Sequence, residues 1–289
     1  MRQRNYLVIL GGLCMLAQAC NADHRLGHRA RGEAQAKRDS VANAAAGGAA
    51  VEGSVAGDSS VATSAENIID YPADLKEVAS ECRSEVAGID ISHWDGDIDW
   101  AELDKESIYF VYMKATEGES YVDPTFETNW AAIRRTSLRR GAYLFFDPGL
   151  ATDRQEAQAQ NFINTVKNVE AGDLPPMLDV EDDPEVSVAV FQSRLLTVTR
   201  LVEAYFHVHP IIYTTTGLYK KYLNWHNSFQ DCELWIADYC YRRPQLCDKK
   251  DMRIWQFTDK AKLRGIPSPV DMDILYNTPE DLENLVIRK

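Results

Sequence analysis

The stretch Pro175-Pro176-Met177-Leu178-Asp179-Val180-Glu181-Asp182 ends a short apolar run with two carboxylates placed two residues apart. Successive residues of a β-strand point to opposite faces, so Asp179 and Glu181 share one face of the predicted strand. Two carboxylates this close raise the pKa of at least one of them, because their like charges repel. Glycoside hydrolysis uses such a pair, one acid to protonate the leaving oxygen and one charged group to stabilise the cationic sugar. An isolated Asp-x-Glu more often ends a strand at the solvent edge, so the rest of the chain decides between these interpretations.

The same stretch is one of eight short apolar segments that predict β-strands. Strands that alternate with helical patterns predict parallel βα units, and eight of them predict a closed barrel. The last three segments start too close together for full helices between them. The predicted fold class is therefore α/β, a TIM-like barrel that is regular for about five units and has reduced helices in the last three. The eight segments are 86–92, 108–115, 141–146, 177–181, 210–214, 234–239, 253–257 and 270–274.

Three polar signals predict where the intervening helices begin. Asp123 followed by Pro124 is typical of an N-cap with proline in the first turn. Asp153 with Glu156 has the spacing of a capping box. Ser187 precedes a long pattern with apolar residues on one face, which predicts a capped amphipathic helix.

The N-terminal part of the chain has a different composition. Residues 1–19 contain early arginines, an apolar stretch too short to span a bilayer and a small-residue cleavage pattern, which predicts an export signal. Cys20 follows Ala17-Gln18-Ala19 and resembles the lipidated cysteine of a bacterial lipoprotein, with plain secretion as the alternative. Residues 20–80 are rich in Ala, Gly and Ser and predict a flexible tether. Residues 81–289 form the predicted barrel domain.

Charge and cysteine content narrow the classes of partner. The net charge of −13 argues against electrostatic binding to nucleic acid or to anionic membrane, and it suits an uncharged or sugar substrate. A membrane contact is therefore expected only through a lipid on Cys20. The even set Cys82, Cys232, Cys240 and Cys247 predicts disulfides in an exported protein, with three connectivities open. These cysteines include no C-x-x-C and the histidines fall in no ligand pattern, so we predict no metal and no cofactor.

The predicted C-terminal ends of the strands carry the candidate site residues, because barrel enzymes place their chemistry there. Aromatic rings stack on the apolar faces of sugars and carboxylates accept hydrogen bonds from hydroxyls, so this composition is typical of a saccharide groove. Core packing is the alternative for each aromatic taken alone, in particular for Trp235 and Trp255. The candidates are Asp90, Lys114, Glu117, Tyr143, Phe145, Asp179, Glu181, Tyr213, Trp235, Asp238, Trp255 and Asp271.

Six sequence motifs follow one another along the predicted domain: Gly88-Ile89-Asp90-Ile91-Ser92-His93-Trp94 with Ile98-Asp99-Trp100, Lys114-Ala115-Thr116-Glu117-Gly118, Gly141-Ala142-Tyr143, Asp179-Val180-Glu181, Trp235-Ile236-Ala237-Asp238-Tyr239 and Trp255-Gln256-Phe257. In this order they resemble the glycoside hydrolase family 25 muramidases, the Chalaropsis-type lysozymes, over nearly the whole predicted domain. Three substitutions depart from the usual pattern of that family: Leu144 stands where His is frequent, Asp95 where Gln is common and Asp273 where Asn is common.

The resemblance implies a fold, an activity and residue roles. The implied fold is a flattened (β/α)5(β)3 barrel, and the implied activity is cleavage of the β-1,4 bond between N-acetylmuramic acid and N-acetylglucosamine in the glycan strands of peptidoglycan. Carried over by position, Glu181 is the general acid and Asp179 orients the 2-acetamido group of the substrate. Asp90 and Asp271 complete the acidic cluster. We expect a monomer.

Other functions remain as alternatives. A lipid-anchored module that binds glycan strands without cutting them would need no intact acidic set, and the retention of every acid argues against it. A chitinase would show a longer acidic signature before its catalytic Glu, and Pro176, Met177 and Leu178 occupy those positions here. Retaining and inverting outcomes both remain open, and we favour assistance by the substrate's acetamido group because Asp179 and Glu181 share a strand face.

Overall fold

A computed structural model describes residues 86–224, 227–239, 244, 246, 251–276 and 278–288. The predicted export signal, the tether, and the cysteines Cys20, Cys82, Cys240 and Cys247 lie outside these residues. Cys232 is described and buried, and the disulfide pairing stays a prediction. Within the described part of the chain, no helix has both the length and the apolar character needed to cross a membrane.

Eight strands close into a barrel, as the eight apolar segments predict. Going round the barrel, the strands lie in the order β1-β9-β8-β7-β6-β5-β4-β2, and pairing of β1 with β2 closes the ring. The short strand β3 only extends the edge at β2. The strands are β1 (Val86–Ile91), β2 (Phe110–Glu117), β3 (Tyr121–Val122), β4 (Arg139–Phe145), β5 (Met177–Val180), β6 (Ile211–Thr215), β7 (Leu234–Ala237), β8 (Ile254–Ala261) and β9 (Val270–Leu275).

The direction of β9 differs from the all-parallel arrangement that βα units predict. It runs antiparallel to both β8 and β1. Residues 262–269 between β8 and β9 are too few for a crossover connection, so the chain turns back instead of returning to the start of the barrel. As a result the N-terminal residues of β9, and not its C-terminal ones, lie at the end of the barrel where the parallel strands finish.

The longest helices lie between β4 and β6, and the described residues between β7 and β9 contain no helix, which confirms the reduced last units. The α-helices are α1 (Trp100–Leu103), α2 (Phe126–Ala132), α3 (Gln155–Val166), α4 (Val188–Phe206), α5 (Thr216–Leu218) and α6 (Pro279–Leu285). Short 3-10 turns lie at His93–Asp95, Ile133–Arg135, Thr152–Arg154 and Asn227–Phe229, and a π turn lies at Tyr219–Leu223.

One of the three predicted helix starts is confirmed. The Ser187 side chain caps α4 by accepting from the backbone N–H of Val190. Asp123 instead forms a turn three residues before α2 begins, where its Oδ1 accepts from the backbone N–H of Thr125 at 2.9 Å. The predicted Asp153–Glu156 capping box is wrong, because the chain makes a 3-10 turn there and α3 begins at Gln155 without a side-chain cap.

The inside of the barrel is filled by aromatic rings below the level of the acids. Phe110, Tyr112 and Trp235 pack edge to face with ring centroids 5.0 to 6.3 Å apart. Two glycines make room for them: a Cβ on Gly88 would lie 2.2 Å from the Phe110 ring, and one on Gly141 would lie 2.3 Å from the Tyr112 ring. This packing closes the barrel from below, so polar side chains above it face an open end.

Candidate active site

Strand register brings five predicted site residues to one end of the barrel. Asp90 on β1 pairs with Asp271 on the antiparallel β9. Asp179 on β5 lies between Phe145 of β4 and Tyr213 of β6. All of these positions fall on the inward face of the barrel. Residues two apart along a strand share a face, and the residues two or four positions away on the same strands belong to the cluster that fills the barrel interior.

Asp179 and Glu181 interact electrostatically, as their spacing predicts. Asp179 is 7% exposed, whereas Glu181, one residue beyond the end of β5, is partly exposed. Burial and then the charge of Glu181 raise the pKa of Asp179 well above its ordinary value, and the ammonium of Lys114 acts in the opposite direction. The Asp179 Oδ1 atom has no hydrogen-bond partner among the described residues. Asp179 therefore offers a hydrogen-bond acceptor, Oδ1, next to the more accessible carboxyl group of Glu181.

A buried hydrogen-bond network fixes Asp90. The Gln256 amide Nε2 donates to Asp90 Oδ2 at 2.7 Å. The Gln256 carbonyl Oε1 accepts from the hydroxyls of Tyr213 at 2.9 Å and Tyr239 at 2.8 Å. Because both hydroxyls donate to Oε1, the amide is oriented with its N–H groups towards the acid. The network therefore holds the Asp90 carboxylate in one position.

The tyrosines of the site stay neutral. Burial, followed by the charges of neighbouring acids, raises the pKa of Tyr213 and of Tyr143 well above the ordinary value. Glu181 is the first of those acids for Tyr213, and Asp90 is the first for Tyr143. A phenol that keeps its proton remains a hydrogen-bond donor, which suits contacts with carboxylates or with sugar oxygens.

Lys114 forms one wall of the site. Its Nζ lies 2.6 Å from Glu117 Oε2 and 4.6 Å from the centroid of the Phe145 ring. Side-chain exposure is 9% for Lys114 and 48% for Glu117. The Lys114 ammonium is therefore more buried than the Glu117 carboxylate, and its positive charge acts on the pKa of Asp179.

A pocket of about 410 Å³ opens beside this wall. The His93 ring is held at its edge, with Nδ1 2.8 Å from Asp123 Oδ2 and 3.2 Å from the Tyr121 hydroxyl. The lining combines aromatic rings and carboxylates: His93, Trp94, Glu117, Gly118, Glu119, Ser120, Tyr121, Asp147 and Leu150. No cluster of three or more potential metal ligands occurs within the described residues.

Three of the predicted substrate-binding residues, Trp235, Trp255 and Asp238, contact other parts of the protein. Trp235 and Trp255 are each 0% exposed, so core residues cover the ring faces that a sugar would need. The indole of Trp255 donates to the backbone carbonyl of Asp238 at 2.7 Å, and the carboxylate of Asp238 accepts from Thr216 Oγ1 at 2.9 Å. We therefore leave Trp235 and Trp255 out of the proposed substrate contacts, and Asp238 stays a predicted substrate-binding residue.

Two residues of the acid network, Gln256 and Tyr239, belong to motifs found in the sequence, but the sequence analysis gave neither of them a site role. Strand alternation was the available signal for Gln256, since it is the polar member of the apolar run Ile254-Trp255-Gln256-Phe257 and faces the barrel interior. Tyr239 lies just beyond β7, where periodicity gives no direction.

Comparison with known proteins agrees with this geometry. Residues 89–266 match the family model described as Glycosyl hydrolases family 25. The chain is 35% identical over 206 residues to the uncharacterized protein YegX of Escherichia coli K12, covering 70% of this chain and 73% of that protein. It is 27% identical over 210 residues to Lysozyme M1 of Streptomyces globisporus, covering 68% and 70%.

Solved structures give the same assignment. A family 25 glycosyl hydrolase from Bacillus anthracis aligns with a TM-score of 0.65 and 31% identity, covering 71% of this chain and 95% of that one. A bacterial lysozyme from Streptomyces coelicolor aligns with a TM-score of 0.66 and 26% identity, covering 71% and 98%. The barrel, the acidic cluster and the family model lead to one conclusion: this chain belongs to glycosyl hydrolase family 25.

Proposed function

We propose that this protein is a lysozyme that cleaves the β-1,4 bond between N-acetylmuramic acid and N-acetylglucosamine in peptidoglycan. The observation that carries the proposal is the interacting pair Asp179 and Glu181 at the open end of the barrel, where burial and the charge of Glu181 raise the pKa of Asp179. Membership of family 25 and the likeness to Lysozyme M1 support it. Tyr143 and the Lys114 wall supply a neutral donor and a cation around the same space.

We assign Glu181 as the general acid. It is the more accessible member of the pair, so it reaches the leaving oxygen of a bound glycan. In the first step the oxygen of the substrate's 2-acetamido group bonds to the anomeric carbon while the glycosidic bond breaks and Glu181 transfers its proton to the leaving oxygen. In the second step water attacks the same carbon, Glu181 takes a proton from that water, and the acetamido oxygen leaves.

In this mechanism Asp179 orients the acetamido group. Its Oδ1 atom, which no described protein donor fills, is placed to accept the acetamido N–H. Asp90 and Asp271, paired across β1 and β9, add negative charge that stabilises the cationic sugar. Two displacements at one carbon return the β configuration, so we propose a retaining outcome.

Reducing-end release from purified peptidoglycan, with mass identification of the fragments, tests the activity. Glu181→Gln keeps the size of the side chain but removes the transferable proton, and should lower the rate by about 10²- to 10⁴-fold with the fold intact. Glu156→Gln on the exposed side of α3 is the matched control and should retain wild-type activity. Turnover of Glu181→Gln at the wild-type rate would exclude the acid role. Binding of glycan by the wild type without any release would identify the non-catalytic module.

Peptidoglycan with de-N-acetylated muramic acid tests the role of the substrate. Removing the acetyl group removes the internal nucleophile, so this glycan should resist cleavage. A proton NMR time course on a defined fragment should show the β-anomer first. Initial α-anomer, or undiminished cutting of the de-N-acetylated glycan, would instead indicate water activated by Asp90, Asp179 or Asp271.

We also propose that the protein is exported as a monomer with its barrel, residues 81–289, tethered through residues 20–80 to a lipid on Cys20. The support is the N-terminal sequence pattern, residues 1–19 acting as the signal. Radiolabelled fatty acid should follow the wild type into membranes, and Cys20→Ser should move the protein to the soluble fraction. A wild-type protein that is already soluble would indicate ordinary secretion.

A further inference from the structure

The pocket beside Lys114 has no part in the bond-breaking steps of the proposed mechanism. Its volume is about 410 Å³, and the segments that follow β1, β2 and β4 line it. Because these segments leave the C-terminal ends of their strands, the pocket lies at the same end of the barrel as the acids. Glu117 in its lining pairs with Phe145 of β4, which pairs in turn with Asp179 of β5. Two strand spacings, about 10 Å, therefore separate this wall of the pocket from Asp179.

Three neighbouring aromatic residues contribute to the lining of the pocket. The ring centroids of His93 and Trp94 lie 4.2 Å apart, and those of His93 and Tyr121 lie 6.0 Å apart. His93 and Trp94 are partly exposed, and Tyr121 is 38% exposed. Aromatic rings that remain open to solvent pack well against the apolar face of a sugar ring.

Hydrogen bonds hold this aromatic group in place. The buried carboxylate of Asp123 accepts from the backbone N–H of His93 at 3.0 Å and also lies 2.8 Å from the ring Nδ1. Asn161 Nδ2, on α3, donates to the backbone carbonyls of Tyr121 at 3.0 Å and Gly118 at 3.2 Å. A site whose walls are fixed before binding loses less free energy to ordering when its ligand enters.

The charge of the pocket separates the two sugars of peptidoglycan. Its lining contains three carboxylates, those of Glu117, Glu119 and Asp147. Lys114 pairs with Glu117 and Arg154 pairs with Glu119, whereas Asp147 forms no ion pair within the described residues. Carboxylates accept hydrogen bonds from sugar hydroxyls and repel a second negative charge. N-acetylmuramic acid carries a lactyl group that ends in a carboxyl or a peptide, and N-acetylglucosamine carries neither.

We propose that this pocket is a subsite for an N-acetylglucosamine unit adjacent to the muramic acid unit held at Asp179. One face of the sugar ring packs on Trp94 and Tyr121, and Asp147 accepts from its hydroxyls while disfavouring a muramic acid in the same place. This inference rests on the proposed function, because it names the sugar that enters a second position of the same site. The pocket then sets the register in which the alternating glycan is engaged.

Trp94→Ala tests the aromatic side of the subsite. Loss of the ring should raise KM for soluble peptidoglycan fragments about threefold to tenfold with kcat within about twofold, because the acids are unchanged. Tyr109→Ala is the matched control, since Tyr109 is 39% exposed and lies immediately before β2, at the opposite end of the barrel. An unchanged KM in Trp94→Ala, or the same rise in Tyr109→Ala, would overturn the proposal.

Sugar binding to Glu181→Gln tests the subsite without turnover. The proton NMR signal of the Trp94 indole N–H is identified by its loss in Trp94→Phe. N-acetylglucosamine should shift this signal half-maximally at a concentration about threefold or more below that needed for N-acetylmuramic acid, and Asp147→Asn should reduce the difference. A signal that responds to neither sugar, or to both at the same concentration, would overturn the proposal. A preference for N-acetylglucosamine at Trp94 in a protein whose wild type cuts no peptidoglycan would contradict the proposed function while supporting the subsite.

Discussion

Gln256→Leu should destabilise the barrel and slow the enzyme, because one buried amide forms hydrogen bonds with three side chains. The change removes the 2.7 Å hydrogen bond to Asp90 and the acceptor for the hydroxyls of Tyr213 and Tyr239. A hydrogen bond to a charged group contributes about 1.5–3 kcal/mol, and a neutral hydrogen bond contributes about 0.5–1.5 kcal/mol. The lower limits for the three bonds together are about 2.5 kcal/mol, a large fraction of the about 5–15 kcal/mol that stabilises an ordinary domain.

Urea unfolding followed by circular dichroism measures this loss as a lower midpoint at unchanged slope. Gln160→Leu is the matched control, since Gln160 is exposed on α3 and its amide donates to Asn164 Oδ1 at 2.8 Å on the same exposed face. That variant should lose about 0.5 kcal/mol or less. A Gln256→Leu variant that loses no more free energy of unfolding than Gln160→Leu, and that hydrolyses peptidoglycan at the wild-type rate, would refute the argument that this amide orients Asp90.

Two further predictions concern ion pairs of different burial. Arg140→Met should cost about 3–5 kcal/mol of unfolding free energy, because it removes the partner that Asp173 now contacts at 2.8 and 3.0 Å and leaves a buried unpaired charge. Arg139→Met, which breaks the exposed pair with Glu283, should cost about 1 kcal/mol or less. Equal losses in the two variants would contradict this reasoning. Asp183→Asn should cost about 1 kcal/mol at neutral pH after allowance for solvent screening. Burial alone would raise the pKa of Asp183, but the hydrogen bonds that it accepts, first from Lys221, outweigh burial and lower that pKa from 3.8 to about 2. The stability that the ionised Asp183 contributes is therefore complete above the unfolded-state pKa and disappears as the pH falls through about 2. Unfolding curves from neutral pH downwards should show the two proteins converging, and a constant difference would exclude the carboxylate as its source.

Much of this protein follows from local sequence patterns. Alternation along short apolar runs predicts eight strands, and it places Asp179 and Glu181 on one face because that face is set by the backbone alone. Glycines at positions 88 and 141 and the order of the motifs carry the family resemblance before any coordinate is known. The predicted cap at Ser187 is confirmed because a cap depends on a few neighbouring residues.

Only the tertiary structure decides which side chains meet. The reversal of β9 brings Asp271 beside Asp90, and it follows from a connection too short for a crossover, which local periodicity does not report. Alternation predicts which face of the sheet a side chain is on, but it does not predict which other side chains cover it. Trp235 points into the barrel and is completely buried by its neighbours. The Gln256 network likewise joins three strands and a loop that are distant in sequence. Its hydrogen bonds form only when the barrel closes, because closure alone places those atoms within 3 Å of one another.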